Sequence, residues 1–338
     1  MVVGVQSGLG TVNAAVAAAT IVANIDDGVA LAANEALGLM FRSESLTLDF
    51  DRIEDDPQAF SGTFSLNPGS FLRSSVASFK FDITIKGGGL ALDGTPTAGD
   101  YNLQAAIEAV LAGFGLKRGT PTTGETPYTL AAPDYLSFKV WRGDTSFTLQ
   151  DCLVTSMTYK NTPGQITVAT VTVSAGGITF SAADTFPTSI SYGLQESLQA
   201  PVLKAAGAQI GSVVRGFLAG TLTLELTSSE VPDSNSTDGV IDEIDGRTIQ
   251  WEGDFYVDDS DSDQDWTNLI RTSTFQDLSW TLGVHVVSGQ ANALLFAMQN
   301  VDFTAVKFKV VAGKVVYNLT GYATTPGAGN DEFVLTSK

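Results

Sequence analysis

Gly69-Ser70-Phe71-Leu72-Arg73-Ser74-Ser75-Val76-Ala77 returns 142 residues later as Gly211-Ser212-Val213-Val214-Arg215-Gly216-Phe217-Leu218-Ala219, with Gly, Ser, Arg and Ala at the same spacing. Both segments lead into an alternating apolar–polar run, the mark of a half-buried strand. The same shift of 142 sets Leu136-Ser137-Phe138 on Leu278-Ser279-Trp280. A later stretch, Leu149 to Val173, falls on Met298 to Tyr322 at a shift of 149, matching Gln150 with Gln299, Thr155 with Thr304, Lys160 with Lys309 and Gly164 with Gly313. Three matches in one order, with one seven-residue insertion between them, predict a duplicated β module. Two β modules with almost no catalytic residue types suit a protein that builds something.

The bulk properties agree with two modules. A chain of 338 residues is long for one ordinary domain. It suffices for two of about 150 residues, each burying ~70% of its unfolded surface. Hydrophobic residues make up 43% and charged residues 16%, so the surface is rich in Thr, Ser and Gly, and Thr-, Val- and Phe-rich runs favour strands. Eighteen Lys+Arg against 37 Asp+Glu give a net charge of −19. That sign excludes a general grip on nucleic acid or an anionic membrane; its plain reading is solubility. The charge is uneven: Glu225 to Asp265 holds 14 acidic residues and one basic residue, Arg247.

The single cysteine, Cys152, leaves no disulfide framework and fits assembly in a reducing cytosol. No basic residue precedes Arg42, so the positive n-region of a secretory signal is missing. The apolar stretch Ala14 to Ala23 is far short of the ~20 residues of a membrane span. The expectation is a protein soluble when made, without a targeting label and without membrane binding of its own.

The pattern divides the chain into an Ala- and Gly-rich arm, 1–41, a first β module, 42–182, and a second, 183–338. In the arm, a short helix is predicted around Asn13 to Ala23. The first module predicts strands at Ser45–Phe50, Gly62–Leu66 and Ala77–Ile85, the last with Phe79, Phe81, Ile83 and Ile85 on one face. Leu103, Ala106, Ile107, Val110, Leu111 and Phe114 form the apolar stripe of a helix, with Asp100 or Asn102 to cap its start and Gly115 its end. A Gly/Pro/Thr loop, Gly119 to Pro133, then precedes strands at Tyr135–Trp141, Ser146–Leu149, Leu153–Tyr159 and Ile166–Val173. Pro163-Gly164 turns the last two into a hairpin.

The second module repeats this order after a short linker, Ala182–Pro187. It predicts a strand at Gly220–Leu226, an acidic loop from Ser229 to Asp245, and a strand at Thr248–Val257. A short helix on Trp266, Leu269 and Ile270, weakened by Ser273, leads to a closing hairpin, Val301–Val311 with Val315–Tyr322, turning at Ala312-Gly313. Each half reads as two packed antiparallel sheets with one flanking helix.

Chemistry-bearing residues are scarce. The one histidine, His285, lies in an alternating strand with no orienting partner or nucleophile beside it. Cys152 opens an apolar strand and reads as a small buried hydrophobe. Asp233-Ser-Asn235-Ser-Thr237-Asp238-Gly239 and Asp259-Ser-Asp261-Ser-Asp263-Gln-Asp265 resemble the opening of a calcium loop. The first has Gly one place late, the second has none, and their twelfth positions are Ile244 and Ile270, so both read as solvated acidic loops. A pair of catalytic carboxylates would be visible only in the fold. No catalytic, cofactor or metal residue is singled out; no enzyme activity and no cofactor are expected.

The opening Met1-Val-Val-Gly-Val-Gln-Ser-Gly-Leu-Gly-Thr-Val-Asn-Ala-Ala resembles the start of tail tube proteins of long-tailed, non-contractile bacteriophages. So does Ser61-Gly-Thr-Phe-Ser-Leu-Asn-Pro-Gly-Ser-Phe-Leu-Arg-Ser-Ser-Val-Ala-Ser-Phe-Lys-Phe followed by the helix Leu103–Gly115. Asp242-Glu-Ile-Asp-Gly-Arg247, leading into a strand, is similar to the way such proteins close a module. The resemblance spans most of the chain. It implies a virion structural protein whose modules, two packed sheets plus one helix, stack as rings around a channel for genome delivery. With the module duplicated, a ring of three chains would show pseudo-sixfold symmetry in place of the plain sixfold ring of the commoner single-module form. Implied partners are further copies of the chain, the tape-measure protein and DNA in the lumen, and tail terminator and tail-tip proteins; assembly would occur in the host cytoplasm.

A conduit must not hold its cargo, because each Lys–phosphate contact releases counterions and the grip multiplies along many rings. The inner strands are therefore expected to present carboxylates, amides and hydroxyls, with any Lys or Arg paired. The arm and the loops 119–133 and 229–245 are expected to reach the next ring. The competing class is a calcium-dependent adhesin or carbohydrate-binding module of two β-sandwiches, and a nearer alternative is a capsid decoration or tail-tip component.

Overall fold

The Thr-, Val- and Phe-rich alternation is realised as a mainly β structure. A computed structural model describes residues 5–7, 10–12, 19–23, 37–39, 45–55, 71–85, 102–103, 105–122, 124–142, 145–182, 208–211, 213–232, 240–256, 266–283, 293–325 and 330–338. Its elements run β1 (Val5–Ser7), β2 (Gly10–Val12), β3 (Ala19–Ala23), β4 (Leu37–Leu39), β5 (Thr47–Asp55), β6 (Phe71–Ile83), α1 (Ala105–Phe114), β7 (Leu116–Arg118), β8 (Thr126–Leu130), β9 (Leu136–Arg142), β10 (Thr145–Asn161) and β11 (Val168–Ser181). They continue with β12 (Ala208–Ile210), β13 (Val213–Arg215), β14 (Phe217–Pro232), β15 (Val240–Tyr256), α2 (Trp266–Arg271), β16 (Gln276–Gly283), β17 (Ala293–Val311), β18 (Lys314–Ala323) and β19 (Phe333–Ser337).

The period-2 pattern places side chains where it predicts. Phe79, Phe81, Ile83 and Ile85 are all buried, as are Leu222, Leu224 and Leu226 on β14. The six apolar residues of the helical stripe from Leu103 to Phe114 are at most 4% exposed. Helix α1 stops at Gly115, whose φ of +98° ends the right-handed turn, and its N–H donates to Ala112 O at 2.9 Å. Tyr128 pins the other end. Its hydroxyl accepts from Leu103 N at 2.6 Å and donates to Glu108 Oε1 at 2.6 Å. Burial, then the bond to the Glu108 carboxylate, pushes this phenol far above its ordinary range, so it remains a donor.

Gly115 also yields an expected result. A Cβ there would stand 2.5 Å from Ala131 O and 2.9 Å from Arg247 Nη2, at a φ that L-residues avoid. Gly115→Ala should lower stability by ~1–3 kcal/mol or more, read as a lower urea midpoint. Gly164→Ala is the control: φ is +76° but no atom lies within 4 Å, so only the backbone strain of about 1 kcal/mol remains. Equal losses in both variants would contradict the packing account.

The principal ladder runs β5–β6–β11–β10–β14–β15–β18–β17, antiparallel at every step. Its two halves, β5–β6–β11–β10 and β14–β15–β18–β17, have one pairing order and several corresponding irregularities. Against β11, β10 slips between Val154 and Ser156; against β18, β17 slips between Phe303 and Ala305. Against β9, β10 slips between Leu149 and Cys152, opposite Phe138 and Leu136. Against β16, β17 slips between Met298 and Val301, opposite Leu278 and Gln276. The outer hairpins agree too: β5 slips after Ile53, opposite Ser74, and β14 after Thr227, opposite Gly246. The β3–β4 hairpin sits on β9 as β12–β13 sits on β16. Bulges re-aim a strand, and these recur at corresponding places in the two halves.

Several expectations are corrected. Ala19–Ala23 forms the strand β3, not the end of a helix, because Ile21 and Val22 complete the sheet against Phe138 and Ser137. Asn102 does not cap α1; its Oδ1 accepts from Thr126 Oγ1 at 3.0 Å. The stretch 119–133 contains β8, whose alternation buries Thr126, Tyr128 and Leu130 while it pairs with β7 and β19. The two strands expected at Ser146–Leu149 and Leu153–Tyr159 are one, β10, bent at its bulge. The acidic loop is largely the far end of the β14–β15 hairpin, paired out to Pro232 with Val240, because main-chain pairing is indifferent to exposed charge.

The match that first suggested a repeat also moves. β6 pairs with β11 and β15 with β18, so the strand in the place of β6 is β15, while β14 stands where β5 stands. The likeness of Gly69–Ala77 to Gly211–Ala219 therefore joins strands from different places, since every half-buried strand shares the alternation that surrounds it. Similarly, Phe138 lies across from Leu149 and Leu278 across from Met298, two residues from the alignment of Phe138 with Trp280. An even slip keeps the same face and so leaves no trace in the pattern. The strand expected at Gly62–Leu66, residues 13–18 of the arm, most of the linker and His285 lie outside the described residues.

Candidate functional site

The ladder has one face in the core and one outside it. Toward the core point Phe79, Phe81, Val171, Val173, Met157, Tyr159, Leu222, Leu224, Trp251 and Leu319, none above 1% exposed. The opposite face follows from the same alternation. In ladder order it carries Thr47 and Asp49, Ser78, Lys80 and Asp82, Thr170 and Thr172, then Ser156, Thr158 and Lys160. Beyond the middle come Thr221, Thr223 and Glu225, Thr248, Gln250, Glu252 and Asp254, Asn318 and Thr320, and Ala305, Lys307 and Lys309. Hydroxyls, amides and interspersed charges of both signs make up most of it, with Val168, Ala219, Ala305 and Tyr322 among them.

Specific bonds order this face. Lys309 Nζ lies 2.6 Å from Asp254 Oδ2, and Asn318 Nδ2 donates to Asp254 Oδ1 at 2.8 Å and Glu252 Oε1 at 3.4 Å. In the other half Thr170 Oγ1 donates to Asp82 Oδ1 at 2.7 Å, while the Asp82 N–H donates to Ser45 Oγ at 2.8 Å. A shallow depression of about 310 Å³ crosses the middle, lined by Lys160, Thr221, Glu252, Asp254, Lys309 and Asn318 among others. Such an open, two-signed surface offers no enclosed pocket for a small molecule.

The halves meet under this face. Ser156–Asn161 of β10 pairs with Gly220–Glu225 of β14, and Tyr159 sets its ring edge-on to Phe296 of β17 at 5.3 Å. Full burial pushes the Tyr159 phenol above its ordinary range. Arg247 ties the halves from another side. Its Nη2 donates to Ala131 O at 2.6 Å, Nη1 stands 3.9 Å from Glu332 Oε1, and the guanidinium lies 5.7 Å over the Phe114 ring. Burial lowers its pKa and Glu332 opposes this; an arginine remains charged.

Cys152 is buried, in the place its apolar strand suggested. His285 and both calcium-like segments, 233–239 and 259–265, lie outside the described residues, and among the described residues no cluster of three or more His, Cys, Asp and Glu side chains could hold a metal. No helix there is long and apolar enough to cross a membrane. The polar face was not singled out from sequence, although the alternation Ser156/Thr158/Lys160 and Thr221/Thr223/Glu225 carries the signal. Cations and carboxylates are mixed on it: Lys80, Lys160, Lys307 and Lys309 share it with Asp49, Asp82, Glu225, Glu252 and Asp254, and Lys309 is paired with Asp254. No protein-family model and no curated protein matches the sequence.

Proposed function

We propose that the chain is a structural subunit of two copies of one β module, whose copies form rings that stack into the tube of a long, non-contractile phage tail. The observation that carries this reading is the ladder. Its halves share one strand order and three corresponding bulges, and a largely polar face spans both. The resemblance of the opening, of Ser61–Phe81 and of Asp242–Arg247 to tail tube proteins supplies the biological setting. In this reading the polar face lines the channel, where hydroxyls and two-signed charge hydrate DNA without gripping it. A ring of three chains gives pseudo-sixfold symmetry, with the tape-measure protein or DNA inside and terminator and tip proteins at the ends. The function is mechanical and needs no catalysis or cofactor.

Electron microscopy of the purified protein tests this directly. Hollow tubes or stacked rings are expected. Discrete two-lobed particles at every concentration, or particles that cluster only with Ca²⁺, would replace this reading with a binding module.

A further inference from the structure

We propose that one copy joins the next by antiparallel pairing of Ala305–Val310 on β17 with Leu46–Asp51 at β5 of the second copy. The register places Lys307 opposite Asp49 and Phe308 opposite Leu48. The inference rests on reading the chain as two copies of one module. It follows from a seam already present within the chain.

That internal seam pairs Ser156 with Glu225, Thr158 with Thr223, Tyr159 with Leu222 and Asn161 with Gly220. β17 stands in its half where β10 stands in the other, since both bulges on each strand coincide and both turn tightly into the next strand. β5 stands where β14 stands, by the bulge after Ile53 and after Thr227. The first half thus owns an unused β5 edge, and the second an unused β17 edge. Among the described residues β5 pairs only with β6, and Ala305–Val311 pairs only with β18. Carried across, Thr158 becomes Lys307 and Thr223 becomes Asp49; Tyr159 becomes Phe308 and Leu222 becomes Leu48; Asn161 becomes Val310 and Gly220 becomes Leu46.

Burial points the same way independently. At the internal seam Tyr159 is 0% exposed and Asn161 1%. Their counterparts Phe308 and Val310 are 63% and 70% exposed. An unpaired strand edge that carries exposed apolar side chains is a template for another strand. Leu48, the proposed partner of Phe308, is half-buried against the core, whereas its counterpart Leu222 is fully covered. Charge fits as well, because the register sets a cation across from a carboxylate on the polar face, where opposite charges stabilise and like charges destabilise. Head-to-tail pairing of this kind closes a ring when its rotation does.

Two variants test the seam. Lys307→Cys with Asp49→Cys in the full chain should give covalent oligomers on mild oxidation, read on a non-reducing gel. Lys307→Cys with Glu54→Cys, outside the proposed pairing, should give few. Separately, Asp49→Lys should raise the concentration for half-assembly about tenfold, and adding Lys307→Asp should restore it, because the swap re-pairs the charges (tenfold being ~1.4 kcal/mol). Failure of the first pair to cross-link in assemblies that do form, or no response to either charge change, would overturn the seam. Monomers at every concentration would overturn it too. Cross-linked rings that never stack would retain the seam and reject the tube; tubes with unlinked cysteines would do the reverse.

Discussion

Trp251→Ala should be the most damaging single change in the chain, lowering stability by about 3–5 kcal/mol. Trp251 is fully buried, with ring centroids 5.2 Å from Phe255, 6.1 Å from Phe217 and 6.4 Å from Trp280. Trp280 stacks on Phe296 at 5.1 Å, and Phe296 meets Tyr159 of the other half. The indole also fills the room above Gly220 and Gly253, where its atoms would meet any added Cβ. Truncation empties that space, and strands on both flanks cannot collapse into it without breaking ladder bonds. The measurement is the denaturant midpoint, followed by far-UV circular dichroism and by tryptophan fluorescence. A loss below ~1 kcal/mol would show that the site closes, and would reject this account of the core.

The second large effect concerns the polar face. If the chain forms the proposed tube, Glu225→Lys and Glu252→Lys together should slow DNA release at least tenfold at low salt, with recovery as salt rises. Both carboxylates project from this face, and both are exposed. Reversal at Glu252 adds a cation beside Lys160 and Lys309 in the depression, and reversal at Glu225 adds a second further along β14, opposite Ser156. Each new phosphate contact multiplies affinity and steepens its salt dependence, and the same contacts recur in every ring. The readout is the rate of genome ejection from particles carrying the variant, at two ionic strengths, with tube length checked by microscopy. Normal ejection at low salt from normally assembled tails would remove the polar face from the channel.

Individual elements were legible in the sequence to the degree that they depend on local pattern. The stripe from Leu103 to Phe114, the alternation through Phe79 and Phe81, and the Pro163-Gly164 turn each commit their residues by period or by backbone conformation. β8 was hidden because Pro127 and its Gly/Thr neighbours read as loop; its strand exists because β7 and β19 supply the pairing. The far end of the β14–β15 hairpin was hidden by its acidic residues, which the main-chain pairing there tolerates.

The sequence by itself determined the mainly β class and the surplus of negative charge, because these follow from composition and from periods of 2 and 3.6 residues. Only the tertiary structure decided which strand corresponds to which. In the first half Phe79 and Phe81 pack side by side, 4.7 Å between centroids; in the second the same two places on the ladder hold Trp251 and Gly253. Two medium rings are exchanged for one large ring folded over a bare glycine, so the residue identities vanish. Period-2 alternation is alike in every strand, and a slip of two residues preserves the face. Register is therefore fixed by bulges and hydrogen-bond partners, which exist only between strands that have already met.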